Sequence, residues 1–371
     1  MGTRIAGWEF VSDRAGVVAL RAPAACSRRS RRRLGVLLGT VILAMTASAV
    51  LAATSQGRGS LQAFLLTSSP DSLSDLEAHA RSVGVVYPTY FDCRVPSGHI
   101  TGHGIPSIAS YAESRHIALM PRFNCQDGAT VHRILTEPSL RAATLTRLVG
   151  IASAPLLRGV CLDLENDGAE DREALSSFVA ALARRLHARH RRLAVVVDGV
   201  EHEDAQDARV STGFYDDRAL SAVADAVFVL AWGTHWEGSA PGPISSLGYV
   251  DGVASYVASL PNASRFVLGA PMYGLDWPEQ GGEAKAYQYS EVMALQHSVG
   301  ATPTRDPASG EMTFNYTTAA GVPHQVWYLD AHSVAQILRI GRAAGLAVGL
   351  WRLGAEDQRL WTSPTVTDGA G

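Results

Sequence analysis

Eight short apolar runs recur between residues 62 and 352, and the first seven are each followed by a stretch with helical spacing of its apolar residues. A chain that alternates strand and helix in this way buries both faces of its strands in a parallel sheet. The expected strands are Gln62–Thr67, Val85–Phe91, Ala118–Asn124, Gly159–Glu165, Leu193–Val197, Val227–Trp232, Phe266–Tyr273 and Ala347–Arg352. The expected helices are Leu73–Val83, Ile105–His116, Ser139–Ile151, Asp171–Arg189, Asp217–Ala224, Val250–Ser259 and Ser333–Ala344. Eight such units are enough to close a sheet, so the reading is an α/β fold, a (β/α)8 TIM barrel. The alternation breaks once, between strand seven and the last helix. Thr302–Arg305, Glu311–Thr318 and Gln325–Tyr328 read as short strands joined by the turns Asp306–Gly310 and Ala319–Gly321, a small antiparallel β insertion.

The fourth run, Gly159-Val160-Cys161-Leu162-Asp163-Leu164-Glu165, ends in two carboxylates one residue apart. Side chains alternate across a strand, so Cys161, Asp163 and Glu165 share one face. Acids at the C-terminal end of a barrel strand stand where that fold keeps its chemistry. Two carboxylates one pleat apart also raise each other's proton affinity, which keeps one protonated near neutral pH.

Charge is unevenly spread. Residues 1–33 hold eight arginines and two acids, a net +6 in a chain whose total is −3. Positive charge confined to one end argues against nucleic-acid binding. The cluster Arg28, Arg29, Arg31, Arg32, Arg33 precedes a mostly apolar run, residues 34–53, which reads as a membrane anchor or a signal peptide. Residues 54–60 read as a polar linker, 61–361 as the barrel and 362–371 as a C-terminal tail. Either reading of residues 34–53 puts the barrel outside the membrane. Cys93, Cys125 and Cys161 lie in that exported body and match no zinc spacing. Cys93 and Cys125 follow strands two and three at similar positions, so they are expected to be neighbours able to form a disulfide. No metal ligand set, nucleophile elbow or phosphate loop is present in the pattern.

Taken together, these residues resemble glycoside hydrolase family 18, the chitinase family, and within it the branch with cell-envelope and spore-cortex-lytic members. The fourth-strand motif of that family has the form D-G-x-D-x-D-x-E. Gly159, Asp163 and Glu165 match it, while Arg158 and Cys161 stand where the first two aspartates would be. Residues 235–243, 268–277 and 349–357, after or on strands six, seven and eight, fit the same branch. The resemblance implies substrate-assisted hydrolysis of N-acetylhexosamine glycans, peptidoglycan or an exopolysaccharide rather than chitin, with no cofactor. In that scheme Glu165 is the general acid, Asp163 orients the 2-acetamido group and Trp351 is the apolar floor under the sugar. Trp232, Tyr273 and His235 are the further substrate-binding candidates.

One departure bears on activity. The Tyr-Asp pair that the family carries at the end of strand six is matched here to Trp232-Gly233. An indole N–H does not reproduce a hydroxyl at the same point. The expectation is therefore a glycosidase tethered or secreted outside the cytoplasm, with a catalytically inactive glycan-binding barrel as the alternative.

Overall fold

The computed structural model describes residues 9–12, 18–21, 61–165, 168–202 and 213–367. The chain divides into two units, Met1–Ser55 and Gln56–Gly371. In the first, Glu9–Ser12 pairs antiparallel with Val18–Arg21. The run at 34–53 and the linker at 54–60 lie outside the described residues. Among the described residues, no helix is long and apolar enough to cross a membrane.

The second unit is a ring of eight parallel strands. They are β1 (Leu61–Leu65), β2 (Val83–Pro88), β3 (Ala118–Leu119 and Arg122–Cys125), β4 (Gly159–Leu164), β5 (Arg192–Asp198), β6 (Ala226–Leu230), β7 (Phe266–Pro271) and β8 (Ala347–Trp351). β8 pairs with β1, Gly349 opposite Gln62, and this closes the circle. The helices among the described residues that accompany the strands include α1 (Pro70–His79), α2 (Pro106–Ser114), α3 (Gly128–Thr136), α4 (Pro138–Ala152), α5 (Arg172–His187), α6 (Asp217–Val223), α7 (Leu247–Ala258), α8 (Tyr289–Val299) and α9 (Ala331–Ala343). Their starts follow local chemistry. Proline occupies the first turn of α1, α2 and α4, where no intrahelical N–H bond is lost. Asp127, Asp216 and Asp330 cap α3, α6 and α9 through backbone N–H groups.

The strands sort their side chains by alternation. One set, including Leu162, Val195, Val197, Val227 and Val229, packs against the helices. The other, including Phe64, Tyr87, Cys161, Val196 and Phe228, fills the barrel interior. Phe228 fits because its neighbours are glycines. A Cβ on Gly269 or Gly349 would lie 2.4 or 2.3 Å from its ring.

Several details differ from the sequence reading, which also lacks the helices α3 and α8. Strand three is broken at Met120-Pro121, because Pro121 has no N–H for the ladder. Pro121 O still accepts from Cys161 N at 2.9 Å, so β3 and β4 stay paired. Strand two continues past Pro88 into Phe91–Arg94, which turns back on His99–Gly102 as a hairpin. The antiparallel sheet between β7 and α9 has five strands, in the order Lys285–Gln288, Tyr273–Pro278, Pro323–Tyr328, Met312–Thr317, Thr304–Arg305. The two members absent from the sequence reading are Tyr273–Pro278, running straight on from β7, and Lys285–Gln288. α8 covers this sheet through Val292, which packs with Phe314, Val326 and Tyr328. Residues 362–367 stay packed, with Val366 of the short helix Pro364–Thr367 in the core.

Candidate active site

β4 sets the centre of the site. Gly159 lets it run close to β5, since a Cβ there would lie 1.9 Å from Arg192 O. At the other end, Tyr215 donates its hydroxyl to Leu164 O at 2.8 Å and pins the strand where its acids emerge. Asp163 and Glu165 both point inward at the mouth, lining a cavity of about 300 Å³. Phe64, Trp232, Tyr273 and Trp351 line the same cavity.

The charge of the site is organised by a residue of β3. Arg122 is buried, with its Nε bonded to Asp163 and its Nη2 donating to Asn124 Oδ1 at 2.7 Å. The same Nη2 lies 3.7 Å from Glu165 Oε1. The guanidinium sits over the Trp351 ring at 5.1 Å and the Phe64 ring at 5.9 Å. One cation thus ties together both carboxylates and the floor of the cavity. Gln126 donates to Glu165 Oε1 at 3.0 Å. Asp163 Oδ1 is buried and has no hydrogen-bond partner among the described residues, so this acceptor is open to a ligand N–H.

The two acids are held differently. Burial, then the negative charge of Asp163, push the Glu165 carboxyl up to about 8, against the opposing pull of Gln126 and Arg122. Asp198 adds to the rise. Glu165 is therefore a carboxylic acid at neutral pH beside Asp163, which is bonded to a guanidinium, the arrangement that proton donation requires.

Strand six is apolar at its end. Asp198 is opposite Leu230, and both Leu230 and Trp232 line the cavity. Trp232 is accommodated by Gly269 on β7, where a Cβ would lie 2.9 Å from its ring. Gly233 has φ +88°, a conformation that an aspartate adopts only under strain. The hydroxyls in the wall come from elsewhere: Tyr273, which opens the strand running on from β7, and Tyr287 on the strand Lys285–Gln288. Burial, with Glu237 nearby, pushes the Tyr273 hydroxyl well above its ordinary value, so it stays a neutral donor.

His235 does not line the cavity. Its Nδ1 lies 2.8 Å from Pro243 O, and its ring packs on Gly242, where a Cβ would come within 2.4 Å. It shapes the loop after β6. That loop is also held by Glu311 of the insertion, whose buried carboxylate accepts from Ile244 N at 3.0 Å and Ser245 N at 2.5 Å. Trp277 is buried away from the cavity and donates to Trp236 O at 3.3 Å.

Arg122, Gln126 and Tyr287 reach the cavity without any motif to mark them, and Glu237 and Arg352 lie in family-like segments that do not single them out. For Arg122 a signal was present, a charged residue inside an apolar strand run. Tyr287 had none, because its strand is paired only through the insertion.

Cys93 and Cys125 form a disulfide, with S–S 2.06 Å and Cα atoms 5.2 Å apart. It ties β3 to the hairpin that extends β2. Cys161 is free and buried under Asp163 on β4. Among the described residues, no group of His, Cys, Asp and Glu could hold a metal ion.

The model of the glycosyl hydrolases family 18 matches residues 113–356. The chain belongs to that family. The Bacillus subtilis protein named uncharacterized glycosylase YvbX is 24% identical over 274 residues, 71% of this chain and 79% of that protein. The cortical fragment-lytic enzyme of Bacillus anthracis is 25% identical over 233 residues, 62% of this chain but only 54% of its own length. Among solved structures, a chitinase from Chromobacterium violaceum superposes with a TM-score of 0.74 at 28% identity, covering 84% of this chain and 98% of its own. The spore cortex-lytic enzyme SleL of Bacillus cereus gives 0.73 at 20% identity, covering 84% and 75%. Membership of a glycosidase family gives glycan hydrolysis as the general activity, and the barrel as the fold that carries it.

Proposed function

We propose that this family 18 protein hydrolyses N-acetylhexosamine-containing glycans outside the cytoplasm, with peptidoglycan or an exopolysaccharide as substrate. Glu165 donates its proton to the glycosidic oxygen as the bond to the anomeric carbon breaks. The carbonyl oxygen of the sugar's own 2-acetamido group attacks that carbon from the other side. Asp163 accepts the acetamido N–H through Oδ1 and balances the positive oxazolinium. Water then opens the oxazolinium and returns its proton to Glu165. Trp351 lies under the reacting sugar, with Trp232 and Tyr273 beside it. The observation that carries this reading is the split state of the acid pair, Glu165 raised to about 8 and Asp163 bonded to Arg122.

Location outside the cytoplasm is supported by the basic cluster and apolar run at residues 28–53, read as an anchor or a signal peptide, and by the Cys93–Cys125 disulfide. The choice of envelope glycans is supported by relatives named for lysis of cortical fragments.

A second reading, an inactive glycan-binding barrel, is favoured by one observation. Strand six offers Trp232 and Gly233 where the family carries a hydroxyl and a carboxylate. Loss of one preorganised donor of that kind costs about 3–4 kcal/mol in the transition state. Zymography of the full-length chain on peptidoglycan and on poly-N-acetylglucosamine separates the two. Clearing that Glu165→Gln abolishes, with glycan affinity retained, supports the enzyme. Binding by both proteins and cleavage by neither supports the binder. Clearing that survives Glu165→Gln would sink both readings.

A further inference from the structure

The cavity wall holds two guanidiniums, and only one is committed. Arg122 is bonded to Asp163 and Asn124. Arg352, which follows Trp351 at the end of β8, also lines the cavity. Among the described residues its side chain makes no hydrogen bond or ion pair, and its Nη1 is buried without an acceptor. Glu291, Glu356 and Asp71 act on it electrostatically, but none is within ion-pair reach. Burial opposes its charge, yet a guanidinium keeps its proton in a protein. A half-buried cation with an orphaned donor and no carboxylate bonded to it is therefore held beside the sugar floor, and such a donor is costly until an acceptor meets it.

We propose that Arg352 reads an anionic substituent, a carboxylate or a phosphate, on the N-acetylhexosamine glycan bound over Trp351. This rests on the glycosidase reading above and narrows its substrate class. The planar fork of a guanidinium matches both anions with paired N–H donors. Glu237 reaches the cavity from the loop after β6, two strands round the ring from β8. Its negative charge confines the substrate anion to the Arg352 side, so the pair orients the chain as well as selecting it.

The test is calorimetric titration of the full-length Glu165→Gln protein with four tetrasaccharides. They are neutral N-acetylglucosamine tetramer, alternating N-acetylglucosamine and N-acetylmuramic acid with free carboxylates, the same with those carboxylates amidated, and a phosphorylated N-acetylglucosamine tetramer. The carboxylate or the phosphate ligand, or both, should bind about 10–100-fold more tightly than its uncharged counterpart. Which of them does so identifies the anion. The gap should narrow with added salt. It should vanish in Arg352→Gln and persist in part in Arg352→Lys. Equal affinity for charged and uncharged ligands overturns the proposal, as does a gap that survives Arg352→Gln. If Arg352→Gln does not fold, the acid-against-amide comparison and its salt dependence on the parent protein decide the matter. Failure of every tetrasaccharide to bind is a different result, and it would remove the N-acetylhexosamine reading itself.

Discussion

Replacing Arg122 by methionine removes the one positive charge among the described residues within 4 Å of both acids, while keeping most of the side chain's length. The Arg122 Nη2 to Glu165 Oε1 distance is 3.7 Å. At an effective dielectric of about 20 a unit charge there stabilises the Glu165 anion by about 4.5 kcal/mol, and at the solvent limit by about 1 kcal/mol. The corresponding rise in the Glu165 carboxyl is about one to three pH units above its starting value. The sign follows directly: Arg122 lowers the proton affinity of Glu165, so its loss raises it. The alkaline limb of kcat/KM, which falls as Glu165 loses its proton near 8, should therefore move to higher pH. Maximal kcat should drop about 10²–10³-fold, because Asp163 loses the donor that holds it toward the substrate. Folding should weaken by about 3–5 kcal/mol, the cost of leaving one partner of a buried ion pair uncompensated. Arg122→Lys keeps the charge and should restore most of the pH profile, but not the bond to Asn124. The assay is the pH dependence of kcat/KM between 5 and 10 on solubilised peptidoglycan, with urea unfolding in parallel. An Arg122→Met enzyme with an unmoved alkaline limb and kcat within a factor of about three would refute the assignment of Arg122 as the residue that divides the acid pair.

The raised Glu165 carboxyl has a consequence for stability. The folded state holds its proton up to about 8 while the unfolded chain releases it near 4.5, so stability should fall as pH rises through that window. Glu165→Gln should flatten the slope in urea titrations at several pH values. Cys93→Ser opens a disulfide spanning 32 residues, so unfolding free energy under oxidising conditions should drop by about 3.7 kcal/mol by chain entropy. Under full reduction the two proteins should melt alike. Trp232→Tyr places a hydroxyl at the apolar end of strand six. If that end limits catalysis, turnover of an N-acetylhexosamine oligomer should rise, and if the site is adapted to its own substrate, turnover should fall or stay level. Gly233→Asp should cost about 1–2 kcal/mol in either case, because of the φ of +88°.

Periodicity alone determined the barrel. Eight apolar runs alternating with amphipathic stretches leave a closed parallel sheet as the way to cover both strand faces, and strand parity put Asp163 and Glu165 on one face. The neighbouring positions of Cys93 and Cys125 followed from the same unit-by-unit count. Local pattern marked Arg122 as a charge inside an apolar run but not its pairing with Asp163, made across a β3–β4 ladder 41 residues apart in the chain. Nor did it separate His235 from Arg352. Both are polar residues just beyond a strand, but one is bonded into its own loop and the other is left without an acceptor in the cavity. The five-stranded insertion was half legible for a related reason. Its hairpin strands announce themselves by alternation and turn residues, whereas Tyr273–Pro278 reads as the tail of β7 until its partners are in place. Sequence determined which residues face inward along each strand, because alternation is a property of the backbone. Which of those residues share a proton, a cation or a ligand was decided only when the ring closed, because electrostatic and hydrogen-bond partners are chosen by distance in space.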